Sequence, residues 1–234
     1  ALPQRQLYGI WEGGSTGSKK MQRVFDSTAI NSTQRFANRL QSVVFPPQSK
    51  WCTLDAGSAI PSDRKGAAQA VLDVYRDKMF DTLKQSNFDI AIGEFLLDMA
   101  VGTACMMVQP GDDVSPINFI PVPLFLVSYE EGAKGQVDNV YRRMRMKGES
   151  IARQWPDAEI PPEMQRRIED KPTEDVELLE ATIFDQKRGD YCYHVIDKIS
   201  KAEIVYRRRK SSPWVISRYM KVAGEIYGRG PLMT

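Results

Sequence analysis

Residues 88–110 read FDIAIGEFLLDMAVGTACMMVQP, and the two halves of this stretch follow different patterns. Phe88, Ala91, Ile92, Phe95, Leu96 and Met99 recur at three- and four-residue spacing, which predicts a helix with a broad apolar face and Asn87 as its N-cap. A stripe that wide belongs at the centre of a domain. After Val101 the spacing changes: Pro110, Pro116, Pro121 and Pro123 bracket short runs rich in Val, Ile and Phe, as strands with tight connections do. A chain that passes once from helical to extended pattern reads as an α+β fold, N-terminal helices packed with a C-terminal antiparallel β-rich region.

Towards the N-terminus, Asp26 or Ser27 caps a helix whose apolar positions are Ala29, Phe36, Ala37, Leu40, Val43 and Val44, and Pro46-Pro47 stops it. Residues 51–61 are irregular. Ser62 or Asp63 then caps a second helix with Ala67, Ala70, Val71, Val74 and Leu83 as its inner face. Towards the C-terminus, Gly132 to Gly135 turn into a strand over 137–147. There Val140, Arg142, Met144 and Met146 alternate with Tyr141, Arg143, Arg145 and Lys147. Short helices over 149–155 and 162–168 form an insertion, and strands follow at 178–184, 191–199, 202–208 and 214–219. The chain divides on this reading into a mainly helical part (1–109), a β-rich part (110–223) with a helical insertion near 149–170, and a closing turn (224–234).

The 234 residues are 42% apolar and 26% charged, enough to bury a sizeable core. Thirty-two Lys and Arg against thirty Asp and Glu give a net charge of +2, too balanced to indicate nucleic-acid binding. Cys52, Cys105 and Cys192 have no CxxC spacing, so neither a disulfide framework nor a zinc site is expected, and free thiols in a reducing compartment fit best. No apolar run approaches the roughly 20 residues of a membrane span, and residues 1–10 do not read as a signal peptide.

The chemistry-bearing motifs are weak. His194, the only histidine, sits on a strand face with Cys192 and Ile196 and reads as a half-buried structural residue; no Gly-x-Ser-x-Gly accompanies it. Residues 13–20, GGSTGSKK, approach a phosphate-binding loop, but Ser18 replaces the glycine before the lysine and Lys20 takes the Ser/Thr position. The pairs Asp112-Asp113, Glu130-Glu131 and Glu169-Asp170 read as solvated turns. No catalytic, cofactor-binding or metal-binding residue is expected. Two basic segments remain, Arg142, Arg143, Arg145 and Lys147, and Arg207, Arg208, Arg209 and Lys210. They are candidate contacts for a subunit interface or a DNA backbone, with a solvated or salt-bridged sheet face the simpler reading.

Two stretches resemble a known family. Phe25-Asp26-Ser27-Thr28-Ala29-Ile30-Asn31-Ser32, through Phe36-Ala37-Asn38-Arg39-Leu40 to Phe45-Pro46-Pro47, resembles the first wing helix of head-tail connector (portal) proteins of short-tailed, T7-like phages. Pro213-Trp214, Ser217-Arg218-Tyr219 and Gly224-Glu225-Ile226-Tyr227-Gly228-Arg229-Gly230-Pro231 are similar to that family's Ser-Arg-Trp strand and Gly-Glu-x-Tyr-Gly-Arg-Gly-Pro turn, with Tyr219 in place of the Trp. In this turn Gly228 and Gly230 are expected to supply positive φ, Pro231 to open a following helix, and Arg229 to pair across an interface.

The resemblance implies a portal wing with a barrel-like β region, followed in the whole protein by a stem and a clip beyond Thr234. It implies a structural subunit and not an enzyme. Its copies would form a homo-oligomeric ring of about twelve at a capsid vertex of the virion, assembled in the host cytoplasm. The partners implied are the major capsid protein, scaffold, terminase, tail adaptor and double-stranded DNA passing non-specifically, with no membrane and no cofactor. A metal-dependent nuclease-like phage protein, and a tail adaptor or capsid-associated protein, are the alternatives.

Overall fold

Three helices come first among the described residues: α1 (Thr28–Val44), α2 (Ser62–Gln85) and α3 (Phe88–Met99). Strands β1 (Thr103–Pro110), β2 (Ile117–Val122), β3 (Val127–Glu131) and β4 (Val137–Lys147) follow, then helices α4 (Gly148–Gln154) and α5 (Pro162–Asp170). Strands β5 (Asp175–Asp185), β6 (Asp190–Asp197), β7 (Glu203–Arg209) and β8 (Trp214–Arg218) complete the chain, so the fold is α+β. The structure, a computed structural model, describes residues 26–47 and 49–233. The expected extended piece at 8–11 and the glycine loop at 13–20 lie outside the described residues.

The chain divides into two units, one running through Val122 and resuming at Ser217, the other spanning Pro123–Ile216. In the first, the whole expected face of α3 is buried and packs on α1 and on one face of the β1–β2 hairpin, through Ala37, Ala104, Met106 and Phe119. Phe88 centres a ring cluster, edge-on to Phe119 at 5.2 Å and to Phe45 at 5.8 Å, and stacked with Trp51 at 6.0 Å. The Phe-Pro-Pro stop of α1 thus delivers Phe45 to the core. Ser27 is the N-cap of that helix and makes no side-chain cap bond; the preceding Asp26 carboxylate accepts the Thr28 amide at 2.9 Å.

Two expected caps work differently. Asn87 makes no cap bond; its amide donates to the Phe119 carbonyl (2.7 Å) and its oxygen accepts the Phe119 amide (2.8 Å), tying the start of α3 to β2. The N-cap of α2 is Pro61, with no side-chain bond from Ser62 or Asp63. The inner side of α2 also differs from expectation. Ala67, Ala70, Val71 and Val74 are exposed, while Leu72, Met79, Phe80 and Leu83 turn inward.

The second unit is a five-stranded antiparallel sheet in the order β3-β4-β5-β6-β7. Among the described residues it is a meander with β3 and β7 at its edges. Cross-strand register places Leu178, Glu180 and Thr182 beside Asp197, Val195 and Tyr193, and all six are buried. The insertion supplies Ile151, Trp155 and Met164 as further buried side chains. Arg207 on β7 holds Asp157 (2.8 Å) and Arg167 on α5 holds Asp197 (2.6 Å), which fixes the insertion to this face.

Asp197 is fully buried. Burial alone would raise its pKa, but hydrogen bonds from the Ser200 hydroxyl (2.6 Å) and amide (3.0 Å), together with the Arg167 charge, hold it below the ordinary carboxylate value. A depressed folded pKa gives stability that is complete above the unfolded value, about 4, and is lost as pH falls through the folded value. Urea unfolding of Asp197→Asn is therefore expected to show a clear deficit against wild type at pH 7 that narrows at pH 3. A deficit unchanged between the two would contradict this account.

Candidate functional site

The two stretches that carry the family resemblance meet in the first unit at Phe36 and Tyr219, and the second runs on over the loop between α3 and β1. Val101 and Gly102 donate their amides back to the Asp98 carbonyl (2.9 and 3.1 Å), closing the end of α3, and Gly102 takes φ 141°, open to glycine alone. The Tyr219 amide donates to the Gly102 carbonyl at 2.8 Å, and the Tyr219 ring packs edge-on against Phe36 of α1 at 5.7 Å. Tyr219, the departure from the family pattern, thus packs against the helix bearing the other resembling stretch.

From Tyr219 the chain reverses and returns. Met220 and Arg229 exchange both backbone hydrogen bonds (3.2 and 2.9 Å), a single antiparallel bridge that closes a loop over the intervening residues. Gly224 supplies the positive φ (84°) for this reversal. Arg218 donates to the Ile226 carbonyl at 3.2 Å. At the return, the Gly228 amide donates to the buried Thr103 hydroxyl at 2.8 Å, and the Leu232 amide to the Ala100 carbonyl at 3.4 Å.

Gly228 and Gly230 are not in positive φ, contrary to the sequence expectation. They are glycines because backbone meets backbone. A Cβ on Gly230 would stand 2.3 Å from the Ala100 oxygen and 2.4 Å from the Val101 carbonyl carbon, and one on Gly228 would stand 2.7 Å from the Gly102 oxygen. A Cβ on Gly102 would in turn meet the Gly228 oxygen at 2.1 Å. Residues 228–230 and 100–102 form an interlocked contact with no room for a side chain at Gly102, Gly228 or Gly230. Sequence reading found the turn but not its seat, Ala100, Gly102 and Thr103; the one signal was a glycine between helix and strand.

Arg229 pairs with Glu225 of the same loop in a bidentate contact, one bond at 3.0 Å, and the guanidinium holds the Glu225 carboxyl below its ordinary pKa. Both side chains are well exposed, so the pair contributes little stability. Gly230 and Pro231 enter a turn in which the Met233 amide donates to the Gly230 carbonyl at 3.0 Å.

Most of the basic segments are engaged within the second unit. Arg142 reaches Glu180 (3.3 Å), Arg145 and Lys198 share Glu177, Arg207 holds Asp157, and Arg208 bridges Asp185 (2.9 Å) and Asp190 (2.8 Å). Bonds from Lys198 and Arg145 hold Glu177 below the usual carboxylate range, and Arg207 does the same to Asp157. Arg209 lies over the Tyr193 ring at 5.2 Å. Arg143, Lys147 and Lys210 have no ion pair among the described residues.

The other motifs take structural roles. His194 bonds Glu203 at 2.5 Å and its ring lies beside Tyr206. Asp112 accepts the amides of Val114 and Ser115 in its turn, Glu130 accepts from Asn139, and Glu169 accepts from Gln165. Among the described residues no group of three or more His, Cys, Asp and Glu is placed to hold a metal, and no helix is long and apolar enough to cross a membrane. Cys105 is buried, which pushes its thiol up to about 12, and all three cysteines are free.

No curated protein matches the chain. A model of the bacteriophage head to tail connecting protein family matches residues 1–234, and it covers both resembling stretches and the contact between them. With every residue inside that match, the chain belongs to the family of bacteriophage head to tail connecting proteins.

Proposed function

We propose that the chain is the wing portion of a portal subunit of the short-tailed, T7-like kind, acting as a ring scaffold and not as an enzyme. About twelve copies would close a cyclic ring at one capsid vertex, a heterologous assembly needing two different complementary surfaces on each copy. DNA would pass through this ring during packaging and ejection. The capsid protein, scaffold, terminase and tail adaptor would attach to it, first in the host cytoplasm and then in the virion. The observation that carries this reading is the family match across residues 1–234.

The site geometry is in keeping with it. A passage for a moving duplex needs positioned backbone and tolerance of any sequence, and the interlocked glycine contact is a structural device rather than a reacting one. Of the eight candidate basic residues, Arg143, Lys147 and Lys210 are those left to meet a neighbouring subunit or a phosphate backbone.

Electron microscopy of the protein within its parent chain is expected to show closed rings of one rotational symmetry with a central hole. Incubation with plasmid and magnesium is expected to leave the DNA uncut. Monomers at all concentrations would sink the portal reading, and metal-dependent cleavage would favour the nuclease alternative.

A further inference from the structure

Among the described residues the outer side of α2 is left exposed. Ala70, Val71 and Val74 follow Ala67 at three, four and seven residues, the spacing of a core-facing stripe, yet all four are exposed. Val71 and Val74 are each 55% exposed and neighbouring Tyr75 is 61% exposed. The opposite side, with Leu72 and Phe80, already faces the unit's own core. A helix apolar on both sides has the sequence of one placed between two layers, and among the described residues only one layer packs on it.

The charges at the ends of the stripe select its partner. Asp63 and Arg64 stand at its N-terminal end, Lys78 and Asp81 at its C-terminal end, and all four are exposed. Asp63 and Arg64, 4.0 Å apart, remain 75% and 81% exposed, so their mutual pairing leaves both open to a partner. Laid antiparallel on a second copy, the helix brings Asp63 of one chain opposite Lys78 of the other at both ends, with Arg64 and Asp81 of the two chains about one turn apart. A parallel arrangement would oppose each charge to itself. The same antiparallel register sets Ala67 against Val74 and Ala70 against Val71, small against large, as interdigitating helices require.

We propose that α2 is a self-docking surface through which two copies of this chain associate as antiparallel helices about a twofold axis close to Val71. This goes beyond the ring reading: a twofold contact uses one surface twice, whereas ring closure uses two different ones. The charged ends, Asp63 and Lys78, are about 22 Å apart along the helix. A single helix pair of this length lies below the roughly 1,200 Å² of a standard interface, so the association is weak and concentration-dependent.

The twofold register gives a test that ring formation does not mimic. Val71→Cys, in a chain also carrying Cys52→Ser and Cys192→Ser, places two thiols beside the axis. Under mild oxidation it is expected to yield a disulfide-linked dimer, while Lys134→Cys in the same background, a loop position in the second unit, does not. In sedimentation velocity, Val71→Asp is expected to weaken dimerisation about ten-fold or more, through an unpaired charge at the contact. Its helical circular dichroism should stay unchanged, because the site is on the surface.

No excess of Val71→Cys dimer over the Lys134→Cys control would overturn the proposal, as would identical sedimentation of Val71→Asp and wild type. Rings that assemble without the Val71 cross-link would overturn it while leaving the portal reading intact. The cross-link without rings would support it while removing that reading.

Discussion

Gly230→Ala is expected to prise the closing segment off the α3–β1 loop. The added methyl would stand 2.3 Å from the Ala100 oxygen, 2.4 Å from the Val101 carbonyl carbon and 2.6 Å from the Gly102 nitrogen. These are backbone atoms at the end of α3, held by the two bonds to the Asp98 carbonyl, and no flexible side chain can move aside. The strain falls at the upper end of the roughly 1–3 kcal/mol cost of overpacking, and relief comes by giving up the Gly228–Thr103 and Leu232–Ala100 bonds. Gly66→Ala on α2 is the matched control. Its Cβ would meet nothing within 4 Å, so it is expected to stabilise by about 0.5–1 kcal/mol, the usual gain of alanine over glycine in a helix. Thermal unfolding of the two variants should shift in opposite directions.

Glu180→Ala is expected to cost about 3–5 kcal/mol, the range for removing one member of a buried ion pair. Glu180 is 1% exposed, accepts the Tyr193 hydroxyl at 2.5 Å and faces Arg142 at 3.3 Å. Its loss would leave the Tyr193 hydroxyl buried without this acceptor, and that phenol is a firmly neutral donor. Burial first, and the Glu180 charge second, push its pKa far above the ordinary tyrosine value. Arg142 would lose its counter-charge on the same sheet face. Glu180→Gln, which keeps an acceptor oxygen, should lose less. Denaturant unfolding followed by tryptophan fluorescence reports on it directly, because Trp155 and Trp214 are both buried in this unit, Trp214 donating to Thr182 at 3.2 Å. Equal losses for alanine and glutamine would show that the carboxylate charge, and neither packing nor an acceptor oxygen, fixes this site.

Sequence reading succeeded where the deciding interactions are local. The inner face of α3 is a plain 3.6-residue period, and the β4 alternation spans 137–147 as observed, because each is set by neighbours within a few residues. It failed where a distant partner decides. On α2 the regular Ala67–Val74 stripe looked like the core face, but the side turned inward is the one carrying Gln69 and Arg76 beside Leu72 and Phe80. Those polar side chains bond Leu54, Ala56, Asp73 and Asp77, which no periodicity reveals. Asn87 is a good cap residue in isolation and is drawn instead to Phe119, 32 positions away. Gly228 looked like a glycine of conformation and is one of proximity, because Thr103 lies 125 positions before it. The family signature was legible as a pattern, whereas its structural cause was not.

The central claim is that this signature docks the closing segment onto the end of α3, and hydrogen exchange at the Gly228 amide tests it most directly. In wild type that amide, bonded to a buried threonine hydroxyl, is expected to exchange as slowly as the core amides of β1, and in Gly230→Ala as fast as an exposed loop. Fast exchange at Gly228 in wild type would contradict the account.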